Sequence, residues 1–304
     1  MSPSRRDLFL GCHCAVACEA VFGASYLFTK DATLVASPLA LLGWRFAVAF
    51  ASLSLLAAAG AVKVSPPRGR PVRRLVAVAL ASPVLYFTGE TWGIARTTAS
   101  ESGAFLSVIP VACLVASSLL LGKRPTGRQV AGIAVTLAGV LATVFAASRA
   151  VSFSVAGYAF LALAVAGYAL YSVFVEKAAA FTGAEIALAM LGAGAAVFAP
   201  LALAEAARDG GVSALLLLPL DSPAFLRAVL FQGVCVSVAG FILSNIAIAK
   251  LGVNRTASFI GVATAVAIVS GVVFLHESFP LAQLVGVALI LLGVFLANRR
   301  CEPL

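Results

Sequence analysis

Apolar residues in this chain come in long runs separated by short polar breaks. A helix needs about 20 apolar residues to cross the hydrocarbon core of a bilayer. Ten runs approach that length: Phe9–Phe28, Pro38–Val62, Leu75–Ile94, Ser102–Leu121, Gln129–Ala147, Ser154–Val175, Gly183–Ala204, Leu226–Ala249, Thr256–Leu275 and Leu281–Ala297. Turn-forming residues punctuate them at Ser37-Pro38, Pro66-Pro67, Pro125, Asp209-Gly210-Gly211, Pro219, Pro223 and Pro280. A further apolar stretch, Val212–Leu220, is too short to span and is expected to lie on the membrane surface or cap the bundle. The pattern predicts an all-α membrane protein with ten transmembrane helices.

One stretch occurs twice. Phe105–Ala142 returns 154 positions later as Phe259–Leu296. Without a gap, Phe105 falls on Phe259, Gln129 on Gln283, Gly132 on Gly286 and Gly139 on Gly293. Matching glycines and glutamines argue against chance, because shared hydrophobicity alone does not align them. Internal duplication of this length divides the chain into two halves, expected at residues 9–147 and 154–297. Each half holds five spans. The odd number makes the second half enter the membrane from the opposite side, so the expected architecture is two inverted five-helix repeats. Such symmetry suits alternating access, since each half can adopt the other's conformation.

Composition agrees with a membrane protein. The chain has 304 residues, 62% of them hydrophobic and 11% charged, with mean hydropathy +1.07. A soluble domain carries about 25% charged residues. The net charge of +9 needs no nucleic-acid partner, because Lys and Arg gather in cytoplasmic loops. With the N-terminus inside, the inner segments hold Arg5, Arg6, Lys63, Arg68, Arg70, Arg73, Arg74, Lys123, Arg124, Arg128, Lys177, Lys250, Arg255, Arg299 and Arg300. The outer segments hold only Lys30, Arg96, Arg149, Arg208 and Arg227. Both termini are therefore expected in the cytoplasm, with Arg96 outside and its repeat partner Lys250 inside. The N-terminal run resembles a signal peptide, but Glu19 interrupts it and it continues to Phe28, so it reads as a retained first helix.

Particular residues carry a family resemblance. Phe22-Gly23-Ala24-Ser25-Tyr26-Leu27-Phe28-Thr29-Lys30, Trp44-Arg45-Phe46, Ala99 through Pro110, Leu121-Gly122-Lys123-Arg124 and the glycines Gly132 and Gly139 follow in order. The second half repeats the theme with Ala247–Phe259, Glu277, Gly286 and Gly293. Together they resemble the drug/metabolite transporter superfamily, in its ten-helix branch with two EamA-type domains, similar in type to the aromatic amino-acid and drug exporters. Phe22 replaces the family's usual Trp. Thr264 stands where a proline would mirror Pro110, so a helix break at both symmetric places is not expected. The resemblance implies export of small metabolites, amino acids or drugs across a bacterial inner membrane, with a cavity enclosed by the first, third, fourth, sixth, eighth and ninth spans.

Polar groups inside spans are costly, so each is a functional candidate. Glu19, near the middle of the first span, either couples transport to protons or makes a structural contact. Arg45 either meets substrate or bridges helices, with Glu90 as a partner. Glu90, beside Thr91 and Trp92, reads as an outer-mouth or interfacial residue. In the repeat, Glu90 matches Ser244 and Thr91 matches Asn245, placing polar groups at equivalent depths. The aromatics Phe22, Tyr26, Tyr86, Phe105, Tyr168, Tyr171 and Phe259 complete the expected lining of a small-molecule path. Cys12, His13, Cys14 and Cys18 do not share one helix face, and no second cluster completes a tetrahedral metal site. Neither a cofactor nor an enzymatic centre is expected, as no hydrolase or nucleotide-binding motif is present. A non-transporting membrane sensor or assembly partner is the competing reading.

Overall fold

A computed structural model describes residues 5–122, 126–147, 154–209, 211–257, 259–277 and 280–298. Of the basic residues that argue orientation, Lys123, Arg124, Arg149, Arg299 and Arg300 lie outside these, as does the side chain of Gln129. Among the described residues ten long helical stretches follow one another: α1 (Arg5–Val35), α2 (Pro38–Ala58), α3 (Val72–Arg96), α4 (Ala99–Leu121), α5 (Gly127–Ala147), α6 (Val155–Lys177), α7 (Gly183–Arg208), α8 (Pro223–Leu251), α9 (Val253–Phe274) and α10 (Leu281–Asn298), and all but α5 and α10 are long and apolar enough to cross a membrane. No strand occurs among the described residues. Outward leucines such as Leu119 and Leu281 are exposed, as a lipid-facing surface requires.

The helix starts follow from local chemistry. Ser37 and Ser222 cap helices whose first residue is proline, which lacks the N–H that would go unbonded there. Capping boxes open α4, through Thr98 and Glu101, and α7, through Thr182 and Glu185. The apolar stretch before Pro223 forms a short helix, Val212–Asp221, held by a bond from Trp44 Nε1 to the Leu215 carbonyl at 2.9 Å.

α1 runs past its expected end at Phe28. Lys30 makes that possible, since its ammonium donates to the carbonyls of Ile94 (3.2 Å) and Thr97 (2.5 Å) at the end of α3. At the same end of the bundle, Glu277 accepts from the Ala99 and Ser100 amides at 2.7 and 2.8 Å, tying the α9–α10 connection to the start of α4. At the opposite end, Arg70 in the α2–α3 loop forks onto Glu185 at 2.8 and 3.1 Å. Hydrogen bonding to Glu185 raises the basicity of the Arg70 guanidinium above its ordinary value.

The repeat is visible as packing. α5 and α10 cross through the matched glycines. A Cβ on Gly139 would lie 2.7 Å from the Gly286 carbonyl oxygen, and one on Gly293 would lie 2.6 Å from that of Gly132. Exchanging the two halves turns one contact into the other, so a pseudo-twofold axis passes between these helices.

Both halves depart from regular α-helix at related places. α3 is kinked within Leu80–Leu85, where Ser82 leaves helical geometry at φ −149°, ψ 121°. α8 widens over Phe231–Gly240, which contains the repeat-equivalent positions. α4 divides after Leu106 and α9 after Ala257. The expected asymmetry at Pro110 and Thr264 is therefore corrected. In α4, Val108 N–H donates to the Phe105 carbonyl and the Val108 carbonyl accepts from Val111. In α9, Phe259 donates to Thr256 and accepts from Val262 in the same way. Tight three-residue bonding makes both breaks, and it needs no proline.

Candidate functional site

The polar core of the bundle surrounds a narrow slot lined by Phe22 and Ser25 of α1, Ser82, Tyr86, Phe87 and Glu90 of α3, Tyr168 and Tyr171 of α6, Met190 of α7, and Val236, Phe241 and Ser244 of α8. Three pairs among them are repeat equivalents: Ser82 with Val236, Phe87 with Phe241, and Glu90 with Ser244. The slot thus lies on the pseudo-twofold axis. It offers about 20 Å3 to the centre of a water molecule, room for roughly one water.

Helix periodicity explains the lining. Tyr86 and Glu90 stand one turn apart on α3 and face the same way. Tyr168 and Tyr171 do so on α6. The Tyr86 hydroxyl donates to Glu90 Oε1 at 2.8 Å. Tyr86 and Tyr168 meet edge to face at 5.6 Å, as do Tyr168 and Tyr171 at 5.4 Å. Phe87 and Phe241, from opposite halves, approach to 5.7 Å.

Arg45 of α2 packs behind this wall. Its guanidinium lies 4.1 Å from the Phe87 ring centroid, Nε donates to Ser237 Oγ at 2.8 Å, and Nη1 stands 3.9 Å from Glu90 Oε2. Both charged side chains are almost wholly buried. The bridge between helices is the alternative that the geometry favours for Arg45. Glu90 is buried among neighbouring helices, six residues before the end of α3. Stranding either charge by removing its partner would cost about 3–5 kcal/mol.

The structure separates the remaining candidates. Glu19 is buried on α1, with Oε1 unbonded, and lies within electrostatic reach of Tyr26, Tyr168 and Tyr171. Tyr26 packs into the same core. Asn245 stands one layer behind the slot: its Oδ1 accepts from the Tyr171 hydroxyl at 2.7 Å, and its Nδ2 donates to the Gly183 carbonyl at 3.1 Å. It joins α6, α7 and α8. Thr91 is buried but does not line the slot. Trp92 faces Phe160 at 6.4 Å, Phe105 packs on Tyr158 at 5.4 Å, and Phe259 packs beside Cys14 and Ala247. None of these three reaches the slot.

Sequence reasoning misses Ser25, Ser82, Phe87, Met190, Val236 and Phe241 as lining. For Phe87, Ser82 and their partners a signal existed, since the repeat maps them onto one another across the axis. No such signal marks Ser25 or Met190.

A helical membrane protein with an internal twofold and a narrow slot between its halves is the architecture of a solute carrier. The EamA-like transporter family matches this chain twice, over residues 9–145 and 155–299. An uncharacterized transporter of Bacillus subtilis (strain 168), YcxC, is 30% identical over 93% of this chain and 90% of its own length. A probable terminal-alkyne amino-acid exporter of Streptantibioticus cattleyicolor is 29% identical, over 82% of this chain and 81% of its own. A solved crystal structure with 20% identity covers 99% of both chains at a TM-score of 0.62, a likeness of fold. The chain belongs to the EamA-like transporter family. It is a multi-pass membrane transporter, with the bilayer as its surroundings and a small molecule as its substrate.

Proposed function

We propose that the protein is a secondary exporter of the inner membrane, carrying small amphipathic metabolites, amino acids or drugs outward by alternating access. Its termini face the cytoplasm, and it has neither an enzymatic nor a nucleic-acid-binding role. The units that rock against each other are the halves at residues 9–147 and 154–297. One observation carries this reading: a narrow, aromatic-walled slot with a few polar groups, bounded by equivalent residues from both halves. A path on the axis can open to either side as the halves exchange conformations. Phe22, Tyr86, Glu90, Tyr168 and Tyr171 contact the solute in this reading. Glu19, Tyr26 and Asn245 support them from behind, and Glu19 carries a coupled proton. The amino-acid exporter among the relatives favours the same substrate range.

Counterflow tests it. Purified protein in sealed liposomes, loaded in turn with amino acids and amphipathic drugs, should accumulate the labelled form of at least one of them. A sensor or assembly partner would move none, and flux indistinguishable from empty liposomes across the panel would refute the proposal.

A further inference from the structure

The start of α3 and the end of α6 meet around a second pocket, away from the slot. It is lined by Arg73, Arg74 and Ala77 of α3 and by Phe174 and Lys177 of α6. It offers about 580 Å3 to the centre of a water molecule, against about 20 Å3 in the slot. Three cations from two helices thus face one space. Among the described residues no carboxylate lines it. Two acids at the same end of the bundle are turned elsewhere. Glu176 Oε2 accepts from the Val253 amide at 3.3 Å, and Glu185 takes the fork of Arg70. Arg74 is instead drawn towards Lys177, its Nη1 donating to the Lys177 carbonyl at 2.6 Å. Like charges gathered in this way repel one another unless an anion stands among them. The excess of basic residues on one side of a membrane accounts for their number. It does not account for their convergence on one pocket.

The surface below the charges indicates what kind of anion fits. On α3, Arg73 shares a face with Val76, Ala77 and Leu80, three, four and seven residues on. Val76 and Leu80 are exposed. On α6, Lys177 shares a face with Phe174 and Leu170, both half-buried. Each helix therefore sets a cation at its end and an apolar stripe beneath it, running into the bilayer. Inorganic phosphate would use the cations and leave the stripes bare, as would a nucleic acid. A molecule with an anionic head and an apolar tail uses both. Basic pockets between spans at the membrane boundary suit anionic lipid headgroups.

We propose that this pocket binds a phospholipid whose headgroup keeps a net negative charge. The phosphate lies among Arg73, Arg74 and Lys177, and an acyl chain follows Val76, Leu80 and Phe174. In the proposed orientation the lipid belongs to the inner leaflet. It bridges the two halves, because α3 comes from the first and α6 from the second.

The test uses the full-length protein, purified in a neutral detergent and washed free of co-purified lipid. Its melting temperature is followed as dioleoylphosphatidylglycerol is added. Three other probes are compared: dioleoylphosphatidylcholine, with no net charge, inorganic phosphate, and dihexanoylphosphatidylglycerol, with short tails. A ligand that binds only the folded form should raise the melting point of a chain this size by about 5–10 °C at a hundred times its dissociation constant. Dioleoylphosphatidylglycerol should give a saturating shift of that size, and the other probes should bind at least about tenfold more weakly. Arg73→Gln combined with Lys177→Gln should weaken it about thirtyfold, a factor of about five for each cation removed. Lys63→Gln combined with Arg68→Gln removes the same charge from the α2–α3 loop outside the pocket. That pair should weaken it less than about threefold, because distant exposed charges are screened. All four side chains are exposed. Should the pocket pair still fail to fold, Arg73→Gln alone takes its place, read by the dioleoylphosphatidylglycerol retained through gel filtration. Equal shifts from the two dioleoyl lipids overturn the site, since the contact is then that of any lipid. Equal losses in the two charge pairs overturn it as well, since the attraction is then that of the whole surface. A shift from inorganic phosphate or the short-tailed lipid that matches the dioleoyl anion assigns the cations to a free anion and overturns the lipid. No shift from dioleoylphosphatidylglycerol in the wild type overturns the proposal outright.

Discussion

Replacing Gly293 by alanine adds one methyl group to the crossing of α5 and α10. That methyl carbon would sit 2.3 Å from Thr136 Oγ1, 2.5 Å from the Thr136 amide nitrogen and 2.6 Å from the Gly132 carbonyl oxygen. Ordinary contacts begin near 3.5 Å, so the helices must part by about 1 Å. Two of the three neighbours are backbone and cannot swing aside. Overpacking of this kind costs about 1–3 kcal/mol. Alanine's better helix propensity returns at most about 1 kcal/mol, so a net loss is expected. For a chain near this size, each kcal/mol moves the melting point by roughly 2–4 °C. Thermal unfolding of the purified protein in detergent should show Gly293→Ala melting several degrees low. Gly139→Ala should fall similarly, since its Cβ would lie 2.7 Å from both the Gly286 carbonyl oxygen and the Ile290 nitrogen. The double variant should lose less than the sum, because helices already parted accept the second methyl more readily. Gly127, on the same α5, has nothing within 4 Å of a Cβ, and Gly127→Ala should melt at or above the wild type. Wild-type melting of both Gly139→Ala and Gly293→Ala would refute the crossing as described.

Reporter fusions after Ser65 and after Arg300 should both report cytoplasm, and one at Gly210 the outside; ends on opposite sides would break the proposed orientation. Glu277→Gln weakens the pair of hydrogen bonds onto the start of α4, so a cysteine placed at Ser100 should react faster with a membrane-impermeant maleimide added outside; an unchanged rate would assign that end of α4 to the hydrogen bond between Gln283 and Glu101 at 3.3 Å. In Glu19→Gln, uptake driven by a pH gradient should vanish while substrate exchange survives; parallel loss of both with a lower melting point would make Glu19 structural. Asn245→Ala removes the link from Tyr171 to the Gly183 carbonyl, at about 1–3 kcal/mol, and should slow exchange while the protein still expresses; wild-type exchange would remove Asn245 from the site's support.

Spans and duplication were legible in the sequence because they rest on run length and on residues that hydrophobicity alone does not align. That Gly132, Gly139, Gly286 and Gly293 meet at one crossing is shown by the structure alone. The site was legible only in part. Tyr86, Glu90, Tyr168 and Tyr171 stand out because polar atoms inside a span need a reason. Phe22 and Phe241 line the slot while Phe105 and Phe259 merely pack, and nothing in an isolated phenylalanine distinguishes the two. Burial was not legible for Glu90: its nearness to Trp92 suggests a membrane interface, and only the structure shows Tyr86 bonding it and Arg45 beside it. The paired breaks in α4 and α9 were hidden because proline is a visible cause of a bend and a three-residue hydrogen bond is not.

The widened stretch in α8 has a geometric consequence. Each residue of a helix advances the direction of its side chain by about 100°. A wide turn holds one residue more than an ordinary one, and if that surplus migrated by a single position, everything beyond it would be re-aimed by the same angle. The residues beyond it include Phe241 and Ser244, which line the slot. A small slip there would act as a selector dial. It would change which side chains face the axis without moving the start of α8, which the Ser222 cap holds in place.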